Sequence, residues 1–457
     1  MVPRAPRAAR GLQRGVALRG SLRPPPSKSL GIRALVCAVM AGEEAHLAGL
    51  AGGEDMEAAV GLCSALGVAH ERAGADLAVR GMRRAGRPVW RPAAAVEVGE
   101  SGTLARAVTA VWALCGDPAR AVAVRGRGTL GRRSSPALLE CLRAAGAELS
   151  GAEGGGWPLT VRAVERVPPL RLIAPESSQE VSALLLALAG RDGAGSLEVR
   201  GPIPSRPYLA MTCAVLDAWG VRVEGERRGD RESFALRGPL RSPPAPVRIE
   251  ADASAAGVAL AAGCLSGGGV RAEGVGAASL QGDVAILRHL AAFGCEVGAG
   301  PDHLWARGLP SRGADCNLAG EPDLAPVLAA VAAGAAAAGH ASRLEGLGTL
   351  DGKESARLRW LGTTLGELGF LVEVGDASLS LAGGGCEPRR GPTVLDPRGD
   401  HRMAFSGALL GLVAPEVRVG DPGCVRKSWP GFWEDLALLS TTGGARPSSE
   451  RARFSPF

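Results

Sequence analysis

The sequence predicts an α/β protein of two similar domains, each built from three repeats of about 75 residues. Three observations support this fold class. A helical stretch that ends in glycine and leads into two alternating strands recurs five times along the chain. Two proline-rich segments divide the chain, and a polar cluster precedes most of the apolar helical runs.

Each repeat is marked by one glycine at the point where a helical pattern changes to a strand pattern. These glycines are Gly67, Gly146, Gly220, Gly294 and Gly369. Glycine at this place favours a helix that ends in the left-handed conformation. The alternation that follows is typical of half-buried strands. A sixth unit of the same length would end with the helix in FWEDLALLS.

The proline-rich segments PPP at 24–26 and SPPAPV at 242–247 are predicted to be linkers. About three repeats lie between them and about three follow, so we expect the chain to cross between the domains twice. The predicted parts are a first domain over 27–245, a discontinuous second domain over 1–26 plus 246–440, and a flexible tail over 441–457.

Polar clusters stand immediately before six apolar helical runs. In chain order they are Ser27-Lys28-Ser29, Ser101-Gly102-Thr103, Ser177-Ser178-Gln179, Asp252-Ala253-Ser254, Asp323 and Asp400-His401-Arg402. The first turn of a helix has free backbone N–H groups and a partial positive charge, so it can bind an anion. Because serine, threonine and aspartate are also ordinary helix caps, capping alone is the alternative interpretation of each cluster.

The composition permits small anionic substrates and does not indicate a nucleic-acid or membrane protein. The net charge is +6 and aromatic residues are 4%, too few to stack on bases. The ten cysteines lack metal-ligand spacing, so we expect reduced thiols in a cytoplasmic protein. The apolar run over 325–339 is too short to span a membrane. We interpret the arginine-rich residues 1–23 as a basic tail or an upstream start rather than as a targeting segment.

Lysine is nearly absent, with three residues among 52 basic ones. Lys28 lies in PSKS, Lys353 in KESAR and Lys427 in CVRK, and the single tyrosine, Tyr208, precedes a helix. An ammonium group can hold an anion and also donate or lose a proton, whereas a guanidinium group can only hold the anion. We therefore interpret the three lysines as functional, with chance survival of surface lysines as the alternative.

The motifs SKSxxxR, GxSGTxxR, SSQxxSALL, SxPY, PDLAP, KExxR, DHRMA and DPxCxxK occur in this order between about residues 14 and 440. This combination resembles the 5-enolpyruvylshikimate-3-phosphate synthase family. The resemblance implies two inside-out α/β domains whose helix starts face an active site in the interdomain cleft. It also implies a bacterial transferase of the shikimate pathway, which makes chorismate and aromatic amino acids. The enzyme would move the enolpyruvyl group of phosphoenolpyruvate to the 5-hydroxyl of shikimate 3-phosphate and release phosphate.

The resemblance implies two sets of binding residues by their places in the motifs. For shikimate 3-phosphate they are Lys28, Ser29, Arg33, Ser177, Ser178, Gln179, Ser205, Tyr208, Asp323 and Lys353. For phosphoenolpyruvate they are Lys28, Gly102, Thr103, Arg133, Gln179, Arg357, Arg402 and Lys427. Of these, Arg357, Arg402 and Lys427 are expected to bind the phosphoenolpyruvate carboxylate.

Three residues are expected to be catalytic. Asp323 would accept the proton of the 5-hydroxyl, Glu354 would carry a proton to and from C3, and Lys28 would assist the departing phosphate. The alternatives are a helix cap for Asp323 and a surface pair for Glu354 with Arg357. His401 is expected to be a buried orienting residue. No metal or organic cofactor is expected.

The chain departs from the family pattern at several positions, and three of them bear directly on the expected site. Glu100 stands where asparagine is common, and a carboxylate near two anions is unfavourable unless an arginine pairs with it. Asp351 stands where arginine is usual, and Ala356 replaces the aspartate of a KESDR-like run. We expect Ala356 to loosen the orientation of Arg357.

Two alternative functions stay open. The UDP-N-acetylglucosamine enolpyruvyltransferases resemble this fold, but they typically have Lys-Asn where this chain has Lys28-Ser29. A non-catalytic paralogue that binds shikimate 3-phosphate or a related anion is supported by Glu100 and Ala356 alone. Because both halves of the expected site lie in one chain, we expect a monomer whose partners are the two substrates.

Overall fold

The computed structural model describes residues 8–50, 52–151, 156–191, 195–384 and 391–441. Within these ranges the chain forms twelve α-helices: α1 Lys28–Met40, α2 Glu54–Leu66, α3 Gly102–Cys115, α4 Pro136–Ala144, α5 Ser178–Ala189, α6 Arg206–Ala218, α7 Ala253–Leu265, α8 Ile286–Ala292, α9 Ala325–Ala337, α10 Arg357–Glu367, α11 His401–Val413 and α12 Phe432–Thr441. The predicted tail over 441–457 lies outside the described residues except for Thr441.

The same ranges contain short β-strands that alternate with the helices. They are β1 Arg19–Leu22, β2 Glu44–Ala48, β3 Ala69–Ala73, β4 Asp76–Arg80, β5 Arg83–Arg84, β6 Arg87–Pro88, β7 Ala95–Glu97, β8 Ala121–Arg125, β9 Glu148–Gly151, β10 Leu159–Arg162, β11 Leu170–Ile173, β12 Ser196–Arg200, β13 Arg222–Arg228, β14 Arg231–Arg237, β15 Val247–Arg248, β16 Gly269–Glu273, β17 Glu296–Ala299, β18 His303–Arg307, β19 Asp315–Asn317, β20 Ser342–Glu345, β21 Val372–Val374, β22 Ser378–Leu381, β23 Thr393–Leu395 and β24 Val417–Val419.

Five sheets of four strands share one order and one pattern of directions. The orders are β15–β2–β4–β3, β7–β8–β10–β9, β11–β12–β14–β13, β1–β16–β18–β17 and β19–β20–β22–β21. In each sheet the first two strands are parallel and the other neighbours are antiparallel, as in β7–β8–β10–β9. The sixth unit has the parallel pair β23–β24, and α12 ends it. The predicted α/β repeat is confirmed.

The five marker glycines end the second helix of their units, as predicted. Their φ angles lie between +68° and +98°, in the left-handed region. Residues with a Cβ are disfavoured in that region because the Cβ crowds the backbone. Glycine has no Cβ and adopts this conformation freely. Each glycine therefore turns the chain from a helix into the antiparallel strand pair that follows.

The first helix of every unit is buried on nearly all sides. This holds for α1, α3 and α5 in the first three units and for α7, α9 and α11 in the last three. Strands such as β4 and β8 alternate between buried and exposed residues, so the sheets cover the helices on the outside. A helix that is apolar all round requires this central position. The inside-out arrangement that the family resemblance implies is confirmed.

The buried apolar residues form two clusters, and the chain crosses between them twice. One cluster runs from Leu30 to Ile249, and the other contains Leu18 and runs from Ala251 to Leu439. Strand β1 joins the sheet of β16, and strand β15 joins the sheet of β2.

The return crossing lies a few residues later than the predicted boundary between 245 and 246. Val247 and Arg248 pair with Leu47 and Ala48, and Ile249 packs in the first cluster. The sequence interpretation placed the boundary at the prolines because a two-residue strand is too short to show an alternation.

None of the helices in the described ranges combines the length and the apolar character that crossing a membrane requires.

Replacing Gly67 by alanine is expected to destabilise the protein by about 1–3 kcal/mol. The residue has φ +68°, and a Cβ there would lie 2.7 Å from the carbonyl oxygen of Arg91. Gly61→Ala is the control, because Gly61 lies inside α2 and its Cβ would meet no described atom within 4 Å. That variant should stabilise by up to about 1 kcal/mol. Denaturant unfolding measures both, and equal effects of the two changes would contradict the left-handed role of Gly67.

Candidate active site

The starts of the buried helices meet at one cleft between the two clusters. Its lining contains the predicted residues Lys28, Ser29, Arg33, Gly102, Thr103, Arg133, Ser177, Ser178, Gln179, Ser205, Tyr208, Asp323, Lys353, Glu354, Arg357 and Arg402. The remaining predicted residue, Lys427, is next to this lining, because its Nζ lies 3.3 Å from Oε1 of Glu354. Residues from distant parts of the chain thus share one small polar volume.

The start of α1 combines a helix cap with a buried ion pair. Ser27 caps the helix by accepting from the Leu30 backbone N–H. The Lys28 ammonium lies 3.0 Å from Oδ2 of Asp55, whose side chain is 2% exposed. The second oxygen, Oδ1, has no hydrogen-bond partner among the described residues. The ammonium is therefore held at the cleft by one oxygen while its other N–H donors can contact a ligand.

Arg33 lies deeper on the same helix and is tied to α6. Its guanidinium donates to Thr212 Oγ1 at 2.8 Å and to the carbonyl oxygens of Ser29 and Tyr208. Burial lowers the pKa of Arg33 to about 10, so the group stays charged at neutral pH. Arg33 thus joins two of the helices whose starts line the cleft.

The start of α5 presents hydroxyl and amide groups. Ser177 and Glu180 form a capping box, which satisfies the first backbone N–H groups. Ser178 and Gln179 line the cleft, and Gln179 Oε1 accepts a hydrogen bond from Arg106 Nη1 at 3.1 Å. That contact fixes the amide so that its NH₂ group can donate to a ligand.

The start of α6 is strained and polar. Ser205 has φ +51°, a left-handed conformation that non-glycine residues rarely adopt, and it lines the cleft. Tyr208 donates to Asp283 Oδ1 at 3.0 Å, and Ser254 donates to the other oxygen of Asp283. Tyr208 packs against the first core cluster, whereas Ser254 lies on α7 of the second, so Asp283 connects the two walls of the cleft.

The start of α3 places a guanidinium against a glycine. Ser101 caps the helix, and Arg133 follows the 3₁₀ turn Gly128–Arg132. A Cβ on Gly102 would lie 2.6 Å from Arg133 Nη2 and 2.7 Å from its Cζ. A side chain at position 102 would therefore displace Arg133. The buried Nε of Arg133 has no partner among the described residues.

Asp323 lies at the centre of a group of cations. Its carboxylate is 3.0 Å from Arg357 Nη1, 2.9 Å from Arg402 Nη2 and 3.9 Å from Lys353 Nζ. No side-chain cap is present at the start of α9, so the capping alternative for Asp323 is wrong. Burial raises the pKa of Asp323, but the charges of Arg402, Lys353 and Arg357 outweigh burial and bring the pKa below its usual range.

Glu354 is buried among three cations. Its carboxylate is 2.5 Å from Arg357 Nη2, 3.3 Å from Lys427 Nζ and 3.8 Å from Arg133 Nη1. Burial raises the pKa of Glu354, but the charges of Lys427, Arg357 and Arg133 outweigh burial and hold it well below its usual range. The surface-pair alternative for Glu354 and Arg357 is therefore wrong, since both side chains are buried.

Asp400 fixes Arg357 and starts α11 at the same time. Its Oδ1 accepts from the Arg402 backbone N–H at 3.0 Å, and its Oδ2 accepts from Arg357 Nε at 2.8 Å. Arg357 is 1% exposed and contacts three carboxylates. The expectation that Ala356 loosens Arg357 is therefore wrong, because the contacts that orient the guanidinium do not need a side chain at position 356.

His401 is buried beside these charges and packs edge-on against Phe405. Burial and the nearby Lys28 hold the pKa of His401 well below its usual range, so the ring is neutral at pH 7. Its Nδ1 has no hydrogen-bond partner among the described residues.

Among the residues that the structure describes, no arginine forms an ion pair with Glu100. Its Oε2 accepts from the backbone N–H and the hydroxyl of Thr129, at 3.2 Å and 2.9 Å, and lies 4.0 Å from Lys427 Nζ. Its Oε1 covers Gly128, where an added Cβ would collide with it. The carboxylate thus ties the start of α3 to the turn that leads to Arg133.

Several residues of the site were not predicted to be functional from the sequence. They are Asp55, Arg106, Ser254, Asp283 and Asp400. The polar clusters before α7 and α11 contained Ser254 and Asp400, and this was the signal that could have found them. Asp55, Arg106 and Asp283 gave no such signal, because their roles depend on contacts between distant segments.

Paired cations and carboxylates at the helix starts of a six-unit α/β chain define an enzyme class that binds small anionic substrates in a cleft. A family model described as EPSP synthase (3-phosphoshikimate 1-carboxyvinyltransferase) matches residues 12–436. The chain belongs to the EPSP synthase family.

Individual relatives agree with this assignment. A 3-phosphoshikimate 1-carboxyvinyltransferase of Paraburkholderia phytofirmans is 32% identical, over 92% of this chain and 96% of that protein. One of Bordetella petrii is 34% identical, over 94% of this chain and 96% of that protein.

Two solved structures share the fold. An EPSP synthase of Acinetobacter baumannii has a TM-score of 0.71 at 22% identity, over 94% of this chain and 97% of its own. The enolpyruvyl transferase NikO of Streptomyces tendae has a TM-score of 0.69 at 19% identity, over 94% of this chain and 96% of its own.

Replacing Asp283 by asparagine is expected to stabilise the protein at pH 7.5 and not at pH 4. Burial, opposed by Arg402, raises the pKa of Asp283 to about 6. The folded state therefore binds this proton more tightly than the unfolded chain, so the charged carboxylate costs stability above pH 6. Two pKa units correspond to about 3 kcal/mol, which is an upper estimate of the gain.

Thermal unfolding of the two proteins across this pH range measures the effect. The asparagine keeps an acceptor for Tyr208, so the hydrogen bond that joins the cleft walls is retained. A stabilisation that is the same at pH 4 and pH 7.5 would contradict the assignment of this proton to Asp283.

Proposed function

We propose that the protein transfers the enolpyruvyl group of phosphoenolpyruvate to the 5-hydroxyl of shikimate 3-phosphate and releases phosphate. The observation that carries this proposal is the convergence of the family's motif residues on one cleft of paired charges. The fold alone does not choose the acceptor, because NikO shares it under another name. Family membership over residues 12–436 supports the shikimate acceptor.

The two substrates are proposed to occupy different helix starts. Shikimate 3-phosphate would place its phosphate at the hydroxyl-rich starts of α5 and α6 and its ring hydroxyls near Asp323 and Lys353. Phosphoenolpyruvate would place its phosphate against Arg133 and the first turn of α3, because a helix start favours an anion. Its carboxylate would then meet Arg357, Arg402 and Lys427, which lie around Asp323 and Glu354.

Asp323 is proposed as the base for the 5-hydroxyl. The surrounding cations lower its pKa and keep the carboxylate ionised at neutral pH. A substrate anion that contacts these cations would raise the pKa of Asp323, so that it accepts a proton more readily. As the hydroxyl oxygen bonds to C2 of phosphoenolpyruvate, its proton passes to Asp323. C3 gains a proton in the same addition, which gives a tetrahedral intermediate.

Glu354 is proposed to carry the C3 proton, and substrate binding must first raise its pKa. Without substrate, Arg357, Lys427 and Arg133 hold the carboxylate in its charged form. The phosphoenolpyruvate carboxylate and phosphate would contact these cations and weaken their hold on Glu354. A less strongly paired, buried carboxyl binds a proton more readily, and can give it to C3 and take it back when the intermediate collapses.

Lys28 is proposed to stabilise the departing phosphate. The ammonium has one close carboxylate partner, Asp55, and lies at the start of α1. Elimination breaks the C2–O bond to phosphate while C3 loses its proton, so negative charge grows on the leaving oxygen. A fixed ammonium at that place lowers the barrier more than it strengthens substrate binding.

That no metal or organic cofactor takes part stays a prediction; in the proposed mechanism Asp323 and Glu354 carry the protons, and Lys28 and the arginines hold the anions. The cytoplasmic location and the monomeric state stay predictions. The lining of the cleft by residues of a single chain supports the monomer.

Phosphate release is expected only when both substrates are present, and Lys28→Ala is expected to lower kcat by about 10²–10³-fold. The control is Arg227→Ala, which removes an exposed cation of β13. It should leave kcat unchanged. Phosphate release by the wild type with either substrate alone would contradict the transfer reaction. Binding of both substrates without any release would instead favour the non-catalytic paralogue.

Glu354→Gln and Asp323→Asn are expected to separate the two proton transfers. Each should lower kcat by about 10²–10⁴-fold. In deuterated water the wild type should place deuterium at C3 of recovered phosphoenolpyruvate, because protonation there is reversible. Glu354→Gln should lower the rate of this deuterium exchange by a larger factor than it lowers the rate of phosphate release. Mass spectrometry of the recovered phosphoenolpyruvate measures the exchange. Retained exchange in Glu354→Gln would assign the C3 proton to another group.

A further inference from the structure

Helix α10 begins at Arg357 without a cap of its own. Its cap position is Ala356, and no side chain there accepts a hydrogen bond. The first N–H groups of a helix need acceptors, and leaving them unpaired at a largely buried start is unfavourable. The acceptor comes from further upstream, in the turn before the helix.

Asp351 supplies that acceptor. Its Oδ1 accepts from the backbone N–H of Leu358 at 2.8 Å and of Arg359 at 3.4 Å. Its Oδ2 lies 3.2 Å from Arg359 Nε. One carboxylate therefore binds the first turn of α10 through two backbone groups and one side chain, and its negative charge lies at the positive end of the helix.

These contacts close a short loop that carries site residues. Lys353 and Glu354 lie between Asp351 and Arg357, and Lys353, Glu354 and Arg357 all line the cleft. Further ties within the loop are the Lys353 backbone N–H to the Leu350 carbonyl and Ser355 Oγ to Asp400. Asp351 holds the end of the loop at which Arg357 enters the helix.

We propose that Asp351 is a positioning residue for the phosphoenolpyruvate carboxylate site, where it replaces the missing cap at Ala356. Asp351 contacts no reacting atom and acts through Arg357. This inference rests on the proposed function, since it concerns the substrate that Arg357 binds.

The decisive variants are Asp351→Ala and the double variant Asp351→Ala/Ala356→Asp. Loss of a helix cap costs about 1 kcal/mol, which corresponds to about a fivefold change in an equilibrium. We expect Asp351→Ala to lower kcat/KM for phosphoenolpyruvate about fivefold to tenfold and to leave KM for shikimate 3-phosphate within about twofold. The aspartate that the second change introduces is a local cap and should restore most of the loss. Asp376→Ala, an exposed change in the same unit, is the matched control.

A merely structural role would lower the unfolding temperature and leave both substrates' constants unchanged, and that result would overturn the proposal. So would a double variant as impaired as Asp351→Ala. A second readout is amide hydrogen exchange, which should speed up at Leu358 and Arg359 in Asp351→Ala and return in the double variant. If the wild type releases no phosphate, the proposed function fails. Unchanged exchange at Leu358 and Arg359 would refute the cap separately.

Discussion

The first turns of six buried helices must find hydrogen-bond partners, and the rest of the structure follows from this requirement. Apart from those turns the helices are apolar on nearly all sides, so they can pack only inside the sheets. Their free N–H groups cannot be buried without acceptors. The six starts meet at one cleft, where capping side chains such as Ser101 and Asp252 accept from the first backbone N–H groups and line the cleft at the same time.

Under the proposed function, a substrate anion replaces existing partners of the charges in this cleft. Arg357 contacts three carboxylates, and Glu354 contacts three cations. Buried charges without partners are costly, so the free enzyme needs these internal pairs. An incoming anion exchanges one carboxylate for another at cations that are already oriented, which limits the reorganisation that binding requires. The same exchange alters the proton affinity of the displaced carboxylate.

Much of the fold could be predicted because it is encoded locally. The marker glycines, the alternation after them and the polar helix starts each depend on a few consecutive residues, and all of these patterns appear in the structure. The missing information concerns contacts between distant segments. Asp55 beside Lys28 and Asp283 beside Tyr208 could not be predicted from spacing, since the fold alone brings them together. The same holds for Ala356, whose expected effect on Arg357 was wrong because Asp400 orients the guanidinium.

The exchange of β1 and β15 between the two halves sets the order in which the protein can assemble during synthesis. The first sheet of the N-terminal half stays without its edge strand until Val247 and Arg248 leave the ribosome. Strand β1 is synthesised first, and its partner β16 follows about 250 residues later in the chain. Neither half contains all the strands of its own sheets. The sheets that contain β1 and β15 therefore become complete only after more than half of the chain has been translated. A nascent chain that ends before residue 247 would leave one edge of β2 without its strand partner, open to pairing with another chain.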